Sequence, residues 1–590
     1  MSHSTPAPLT DRPPAPARGQ RRGIAPRVFW PSVAIVGVLA LLAVVFPTRA
    51  SDLIGALQTN AIGAFGWYYV LIVAGFVLFS LYVGLSRFGD ITLGPDDEAP
   101  RYSTGSWFAM LFSAGMGIGL VFWGVAEPLT HFAQPKPGVV GAPERVAEQA
   151  MAQTYVHWGV HAWAIYVVVG LALAYAIHRK GRPVSVRWAL EPLLGARRAG
   201  GPIGDVVDVA AVVGTVFGVA TSLGFGVLQI SSGLEHLGLL ENSVTVQVVL
   251  ILGITAVATL SVLSGLDRGV KWLSNANVVL AGLLMLSVLV LGPTLFLLRE
   301  FVQSIGVYLA NVVPMTFNVS AFAGSEGEIW QSAWTTFYWG WWISWAPFVG
   351  VFIARISRGR TVREFVLGVL GVPVLVTFLW FSVLGGTALY RELFGAGGLV
   401  ADDGSVTTVN ALFDLLEALP AGSALAAGAI VLIALFFITS ADSGSLVVAM
   451  LTGGGELDPP VWSRMTWAVA SGLLAAALLV AGGLAALQTA AILIALPFSV
   501  VMIAMCASTW RALSSEHRAF LQAERSLMRD RLTAHVTSQV NQQLPEQVGQ
   551  LVSQRTVPGD RAGTDDGLPS LPGQDGPRSP DLPRRPSDRR

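Results

Sequence analysis

Cysteine is almost missing from this chain: Cys506 stands alone among 590 residues. That excludes an intrachain disulfide framework and any thiolate metal cluster. Charge is nearly as scarce, at 13% of residues, where soluble domains carry about 25%. With 53% of residues hydrophobic, the chain reads as an integral membrane protein. Its 37 basic and 37 acidic residues cancel, so nothing in the balance points to a nucleic-acid partner. The first apolar segment begins near residue 29 without a small-residue cleavage site, and is read as a retained span.

What is abundant is apolar runs long enough to cross about 30 Å of hydrocarbon. Twelve are expected, near 29–47, 66–86, 105–124, 154–177, 207–227, 244–264, 273–297, 332–354, 366–388, 424–449, 465–482 and 485–508. If both termini are cytoplasmic, the inner loops hold fifteen Lys and Arg and the outer loops five. This positive-inside bias supports an even number of spans in the plasma membrane. Residues 299–331 read as an interfacial helix and linker between two groups of five spans, 101–298 and 332–510. An odd number of spans per group places the groups in opposite orientations, as in transporters with inverted repeats. Two peripheral spans precede them in 29–100, and 511–550 has the composition of a cytoplasmic helix. The Pro- and Arg-rich ends, 1–28 and 551–590, read as disordered cytoplasmic tails.

Aromatic residues are concentrated in one place. Tyr338, Trp339, Trp341, Trp342 and Trp345 fall within eight residues of an apolar segment. At helical spacing several of these rings share a face, which suits a cation that cannot donate hydrogen bonds, above all a quaternary ammonium. An interfacial belt or a packed helix contact is the competing reading. In the third span Gly115, Gly117 and Gly119 alternate around Met116 and Ile118. Such a run weakens a helix and opens backbone carbonyls and amides toward a solute, whereas a packing motif favours four-residue spacing.

The fourth span carries Trp158, Trp163 and Tyr166, with His157 and His161 between and beside them. The two histidines are one turn apart, but without a visible third ligand hydrogen bonding is the simpler reading. The tenth span carries Thr439, Ser440, Asp442, Ser443 and Ser445. Hydroxyls meeting an opened backbone make a sodium cage; hydroxyls bonded back to their own helix, with Asp442 as a brace, make a scaffold.

The motifs GMGIG at 115–119, EPLTHF at 127–132, HWGVHAWAIY at 157–166, GVATSLGFG at 218–226, the Trp-rich stretch 337–365 and TSADSGS at 439–445 resemble the betaine/choline/carnitine transporters. The similarity covers about residues 28–510. It implies an all-α, sodium-symporter-like fold of twelve transmembrane helices with a five-plus-five inverted repeat, usually a homotrimer. It also implies a substrate cage at Trp158, Trp163, Tyr166 and Trp342, with Trp341 and Trp345 along the path. One sodium site maps to the Met116 carbonyl, Thr439 and Ser440, with Phe436 nearby. A second maps to Thr215, Val219 and Phe348, and Val219 lacks the hydroxyl that sodium-coupled members can place there.

The function expected is secondary active uptake of choline or glycine betaine, driven by a sodium or proton gradient, with no enzymatic activity and no cofactor beyond the coupling ion. A carnitine or related betaine carrier or exchanger is the nearest alternative. A channel needs a continuous polar path, and an enzyme needs a convergent nucleophile or metal set; neither pattern is visible.

Overall fold

A computed structural model describes residues 23–555 apart from 116, 265 and 266. Among these residues the chain is helical, its only β feature being an isolated antiparallel bridge between Thr92 and Thr361. The helices of eight or more residues are α1 Pro26–Val45, α2 Pro47–Leu85, α3 Thr104–Gly115, α4 Ile118–Ala133, α5 Pro143–Trp158, α6 Val160–Ala174, α7 Pro202–His236, α8 Val244–Ser264, α9 Asp267–Leu291, α10 Thr294–Thr316, α11 Gly324–Gln331, α12 Phe337–Ile356, α13 Val362–Phe394, α14 Gly422–Thr452 and α15 Val461–Arg555. The fold is therefore an all-α, multi-span membrane architecture. Ten segments among the described residues are long and apolar enough to cross a membrane.

The difference from the twelve expected spans has physical causes. The third is interrupted at the glycine run, so neither α3 nor α4 is long enough alone. The eighth, α12, is lowered in hydropathy by its own four Trp and one Tyr. The last two are joined in α15, whose backbone leaves the helical region at Gly482 and Gly483 (φ 58°, ψ −135°). Only glycine adopts that second conformation readily. The break falls between the two spans expected at 465–482 and 485–508. Conversely α10, expected along the interface, also qualifies by length and composition.

Close backbone approach assembles the interior. The helices α6 and α12 cross where Gly350 meets Val169 and the Gly170 amide, and a Cβ on Gly350 would lie 2.5 Å from Val169 Cγ1. No other residue fits there without separating the pair. At one end of the bundle the loop 89–94 lies against 357–363 through backbone bonds such as Leu93 N to Arg360 O, 2.8 Å. A capping box at Thr361 and Glu364 then starts α13.

The chain divides into two compact units after Arg518. The second is helical to Arg555, and its apolar residues Leu532, Val536, Val540, Leu544 and Val548 are exposed at four-residue spacing. The tail residues 1–22 and 556–590 lie outside the described residues, but α1 already begins at Pro26 and α15 continues past 551.

Candidate functional site

The glycine run splits the third span into α3 and α4, and Gly117 between them is extended (φ −156°, ψ −177°). The start of α4 lines a cavity with about 930 Å3 of non-protein space, part of it open to solvent. The walls facing it come from α5 and α6 (Trp158, Tyr166), α7 (Ser222), α9 (Ser274, Asn277), α12 (Trp341, Trp342, Trp345, Phe348, Phe352) and α14 (Phe436, Thr439, Ser440, Ser443). The lining combines a group of rings, mostly from α12, with a group of hydroxyl and amide side chains from α7, α9 and α14.

The group of rings is tightly organised. Trp341 and Trp342 are stacked, centroids 4.7 Å apart and 15° between planes. Trp158 meets Trp342 edge to face at 4.8 Å and 71°, and Tyr166 does so at 6.4 Å and 76°. Trp163 is packed edge-on behind Tyr166 at 5.5 Å rather than lining the cavity. Trp345 lines it and meets Phe348 at 5.0 Å. Several electron-rich rings thus line one enclosed space, and the negative quadrupole of a ring face attracts a cation.

Two glycines explain this packing. Gly159 breaks the fourth span between α5 and α6 (φ −93°, ψ −131°). The break changes the helical phase, so Trp158 and Trp163, five residues apart, need not diverge as they would on one straight helix. Gly119 lets two indoles approach α4, since a Cβ there would lie 2.5 Å from Trp341 Cη2 and 3.1 Å from Trp158 Cη2.

Behind the rings lies a fully buried polar network. Glu127 Oε2 accepts hydrogen bonds from Trp158 Nε1 (2.6 Å) and from the Tyr338 hydroxyl. Its Oε1 accepts from His157 Nδ1 (2.6 Å) and His131 Nε2 (3.3 Å). His157 continues to Gln153 and Thr335, each at 3.0 Å, and its carbonyl accepts from Trp342 Nε1 at 2.9 Å. His161 belongs elsewhere, bonded to Thr316 Oγ1 at 2.8 Å and stacked on Trp339. The ligand-type atoms of Glu127, His131 and His157 lie within 4.8 Å of one another. A metal taking the carboxylate oxygens would leave the Trp158 and Tyr338 donors without acceptors in a dry interior. Tyr338 and Trp339 are thus buried members of the interior, and the interfacial-belt reading does not apply to them. On the loop after α4, the Lys136 ammonium sits 4.5 Å over the Trp330 ring, and burial lowers its pKa to about 8.

The group of hydroxyls is looser. Thr439 Oγ1 donates to Leu435 O (2.9 Å) and accepts from Asn277 Nδ2 (2.9 Å), while Asn277 Oδ1 has no partner among the described residues. Asp442 is paired with Arg464 at 3.3 Å, which fits its reading as a brace. Thr215 donates to Ala211 O at 2.8 Å and does not line the cavity. Val219 is packed against α14, within 2.8 Å of where a Gly444 Cβ would be.

Of the residues singled out from sequence, Trp158, Tyr166, Trp341, Trp342, Trp345, Gly117, Gly119, Phe348, Phe436, Thr439 and Ser440 line one cavity. Trp163 and Thr215 stand outside its lining. Gly115 ends α3, and Met116 lies outside the described residues. Sequence reasoning missed Glu127, Asn277, Ser274 and Ser222. Glu127 had a signal, a carboxylate in a membrane segment, where ionisable residues are rare unless functional.

Comparison with known proteins gives a consistent result. The model of the betaine/carnitine/choline family of transporters matches residues 27–518. An uncharacterised transporter of Mycobacterium tuberculosis is 52% identical over 496 residues, 83% of each chain. The glycine betaine transporter of Bacillus subtilis is 46% identical over 498 residues, 84% of this chain and 96% of its own. The high-affinity choline transport protein of Escherichia coli is 41% identical over 496 residues, 84% of this chain and 72% of its own.

Proposed function

The chain belongs to the betaine/carnitine/choline family of transporters, and from that premise we propose that it carries glycine betaine inward by alternating access, coupled to sodium. It is a secondary transporter of quaternary ammonium compounds of the choline and glycine betaine type, not an enzyme. The observation that carries the finer reading is a single cavity lined both by Trp158, Tyr166, Trp341 and Trp342 and by Thr439, Ser440 and Asn277. Electron-rich rings suit a trimethylammonium, which offers no hydrogen-bond donor.

The choice of glycine betaine over choline rests on donors. A carboxylate needs several, and the first residues of α4, Gly117–Leu120, line the cavity at a helix N-terminus that no side chain caps. The Trp341 indole N–H is buried and has no partner among the described residues. A choline hydroxyl needs only one partner. The glycine betaine transporter of Bacillus subtilis is also a nearer relative than the choline protein of Escherichia coli, at 46% against 41% identity.

For sodium the reading favours one site, at the Met116 carbonyl, Thr439 and Ser440, with Phe436 beside it. The second set, Thr215, Val219 and Phe348, is the weaker candidate, because Val219 has no side-chain oxygen and Thr215 does not line the cavity. A driving ion concentrates the solute when both favour the same outward-open state.

The proposal extends to twelve spans in a five-plus-five inverted repeat, both termini cytoplasmic in the plasma membrane, assembled as a homotrimer. One support is the path of α15. Arg464 pairs with Asp442, Gly482 approaches Ser51, and Ser508 bonds to Ala189 O at 2.7 Å. Arg464 and Ala189 sit in loops assigned to one side by charge, and Ser51 follows Arg49 on the other. Uptake of labelled glycine betaine and choline into vesicles, with sodium and proton gradients imposed separately, tests the whole reading. Glycine betaine uptake driven by sodium is expected; no uptake of either compound overturns it, and uptake driven by protons alone removes the sodium site.

A further inference from the structure

We propose that Glu127 is the counter-charge of the substrate cage, a positioning and specificity-determining residue that acts on the bound cation through the Trp158 indole. The inference rests on the reading of the group of rings as a quaternary ammonium site. Glu127 is fully buried on α4, and no described part of the cavity lining includes it. It reaches the cage directly through Trp158, whose Nε1 it holds at 2.6 Å, and indirectly through Tyr338, whose ring stacks on Trp342 at 5.8 Å and 22°, and through His157, whose carbonyl holds Trp342 Nε1.

The donor set defines the state of the carboxyl group. Trp158 and Tyr338 converge on Oε2, and His157 and His131 on Oε1. An indole N–H can only donate, and an ionised carboxylate can only accept. A protonated Glu127 would need His131 Nε2 to accept, which puts the hydrogen of that ring on Nδ1, a buried atom with no partner among the described residues.

The charge is not cancelled nearby. Among the described residues the ion-pair partners of Glu127 are His157 and His131, with no Arg or Lys. The Gln153 amide points its Nε2 at His157 Nε2, 3.0 Å away, so that nitrogen accepts. Nδ1 of the same ring then carries the hydrogen given to Glu127, which is the neutral tautomer. His131 leaves its Nδ1 without a partner. Lys136 lies over Trp330, whose ring packs against His131 and His157, and makes no ion pair with Glu127.

The result is a negative charge, desolvated and hydrogen-bonded but without a direct Arg or Lys ion pair, one indole away from the cavity. A buried charge is costly until an opposite charge approaches, and a low-dielectric interior lets the attraction act across a ring. Hydrogen bonding of Trp158 Nε1 to an anion also raises the electron density of the face that the cation meets. The cage therefore discriminates by charge as well as by shape. A neutral tert-butyl group, equal in size to trimethylammonium, gains the packing but not the attraction.

That pair of groups is the test. Binding of glycine betaine and choline to purified full-length protein is measured by calorimetry, each against its carbon isostere with a quaternary carbon in place of nitrogen. Wild type is expected to prefer the cations, and in Glu127→Gln that preference falls by roughly tenfold or more. The isosteres bind Glu127→Gln as well as wild type or better, because no anion opposes their environment. Equal weakening of cation and isostere means that Glu127 only shapes the pocket, and overturns the proposal. Should Glu127→Gln fail to fold, Tyr338→Phe decides: it frees the carboxylate of one donor and keeps its charge, so the cation preference stays at or above wild type. A fall in that preference overturns the proposal too. Failure of the wild-type protein to bind any of the cations would instead sink the cage reading itself.

Discussion

The group of rings and the group of hydroxyls that line the cavity differ in how they are held. Around the rings every polar atom of Glu127 is engaged, the indoles of Trp158 and Trp342 are tied by hydrogen bonds, and Trp341 and Trp342 stack at 4.7 Å. Among the hydroxyls Thr439 is bonded to its own helix and Asn277 Oδ1 is left open. A preorganised wall suits a large, weakly hydrated cation, because little must be rearranged to bind it. Oxygens with spare lone pairs suit a small ion that has to exchange its hydration shell for them. The contrast separates two roles within one space.

The sharpest way to break the contrast is to remove a ring. Trp342→Leu should weaken binding of the quaternary ammonium by about 2 kcal/mol, roughly thirtyfold, since a desolvated cation–π contact is lost. Calorimetry on the purified variant would show it, and an unchanged affinity would mean that Trp342 is packing only. A smaller effect is expected from Gly119→Ala. Its new Cβ would meet Trp341 Cη2 at 2.5 Å, and overpacking of this kind costs about 1–3 kcal/mol when neighbours cannot shift. Uptake should fall with the melting temperature less affected than the substrate affinity; normal uptake would show that the rings can move.

Thr439→Ala probes the hydroxyls. The sodium concentration for half-maximal uptake should rise several-fold, while substrate affinity at saturating sodium stays near wild type. If substrate affinity falls instead and the sodium dependence does not move, Thr439 belongs to the substrate and the two-role reading fails. The smallest effect is expected well away from the cavity, at Glu516. Desolvation raises its pKa, but hydrogen bonds from Lys180 and Arg179 outweigh it and bring the value down to about 2 from 4.5. A depressed carboxylate stabilises the fold above its unfolded pKa, and that contribution disappears as pH falls from 4.5 toward about 2. Glu516→Gln should therefore lower the melting temperature slightly at neutral pH and make no difference near pH 2.

Much of this arrangement was legible in the residues. The Trp-rich stretch of α12, the glycine run before α4 and the hydroxyls of α14 could each be read as candidate walls, and they do face one cavity. Ring spacing on one helix, however, could not say which rings meet a partner helix. The phase change at Gly159 is a backbone event that a periodic reading of the fourth span does not contain. Glu127 was quoted only as part of a motif, because three of its four donors come from other helices, Trp158 and His157 on α5 and Tyr338 on α12, and only His131 from its own. Asn277 was invisible for the same reason, its Thr439 partner lying 162 positions away. Local pattern reports which faces are apolar; convergence of distant polar atoms is a property of the packed chain.

The break at Gly482 and Gly483 has a consequence for how the protein is made. Only two residues separate the apolar halves of α15, so no polar loop is available to be carried across the bilayer between them. On the proposed twelve-span topology the two halves enter the lipid as a pair, and the corner between them depends on a glycine at position 483.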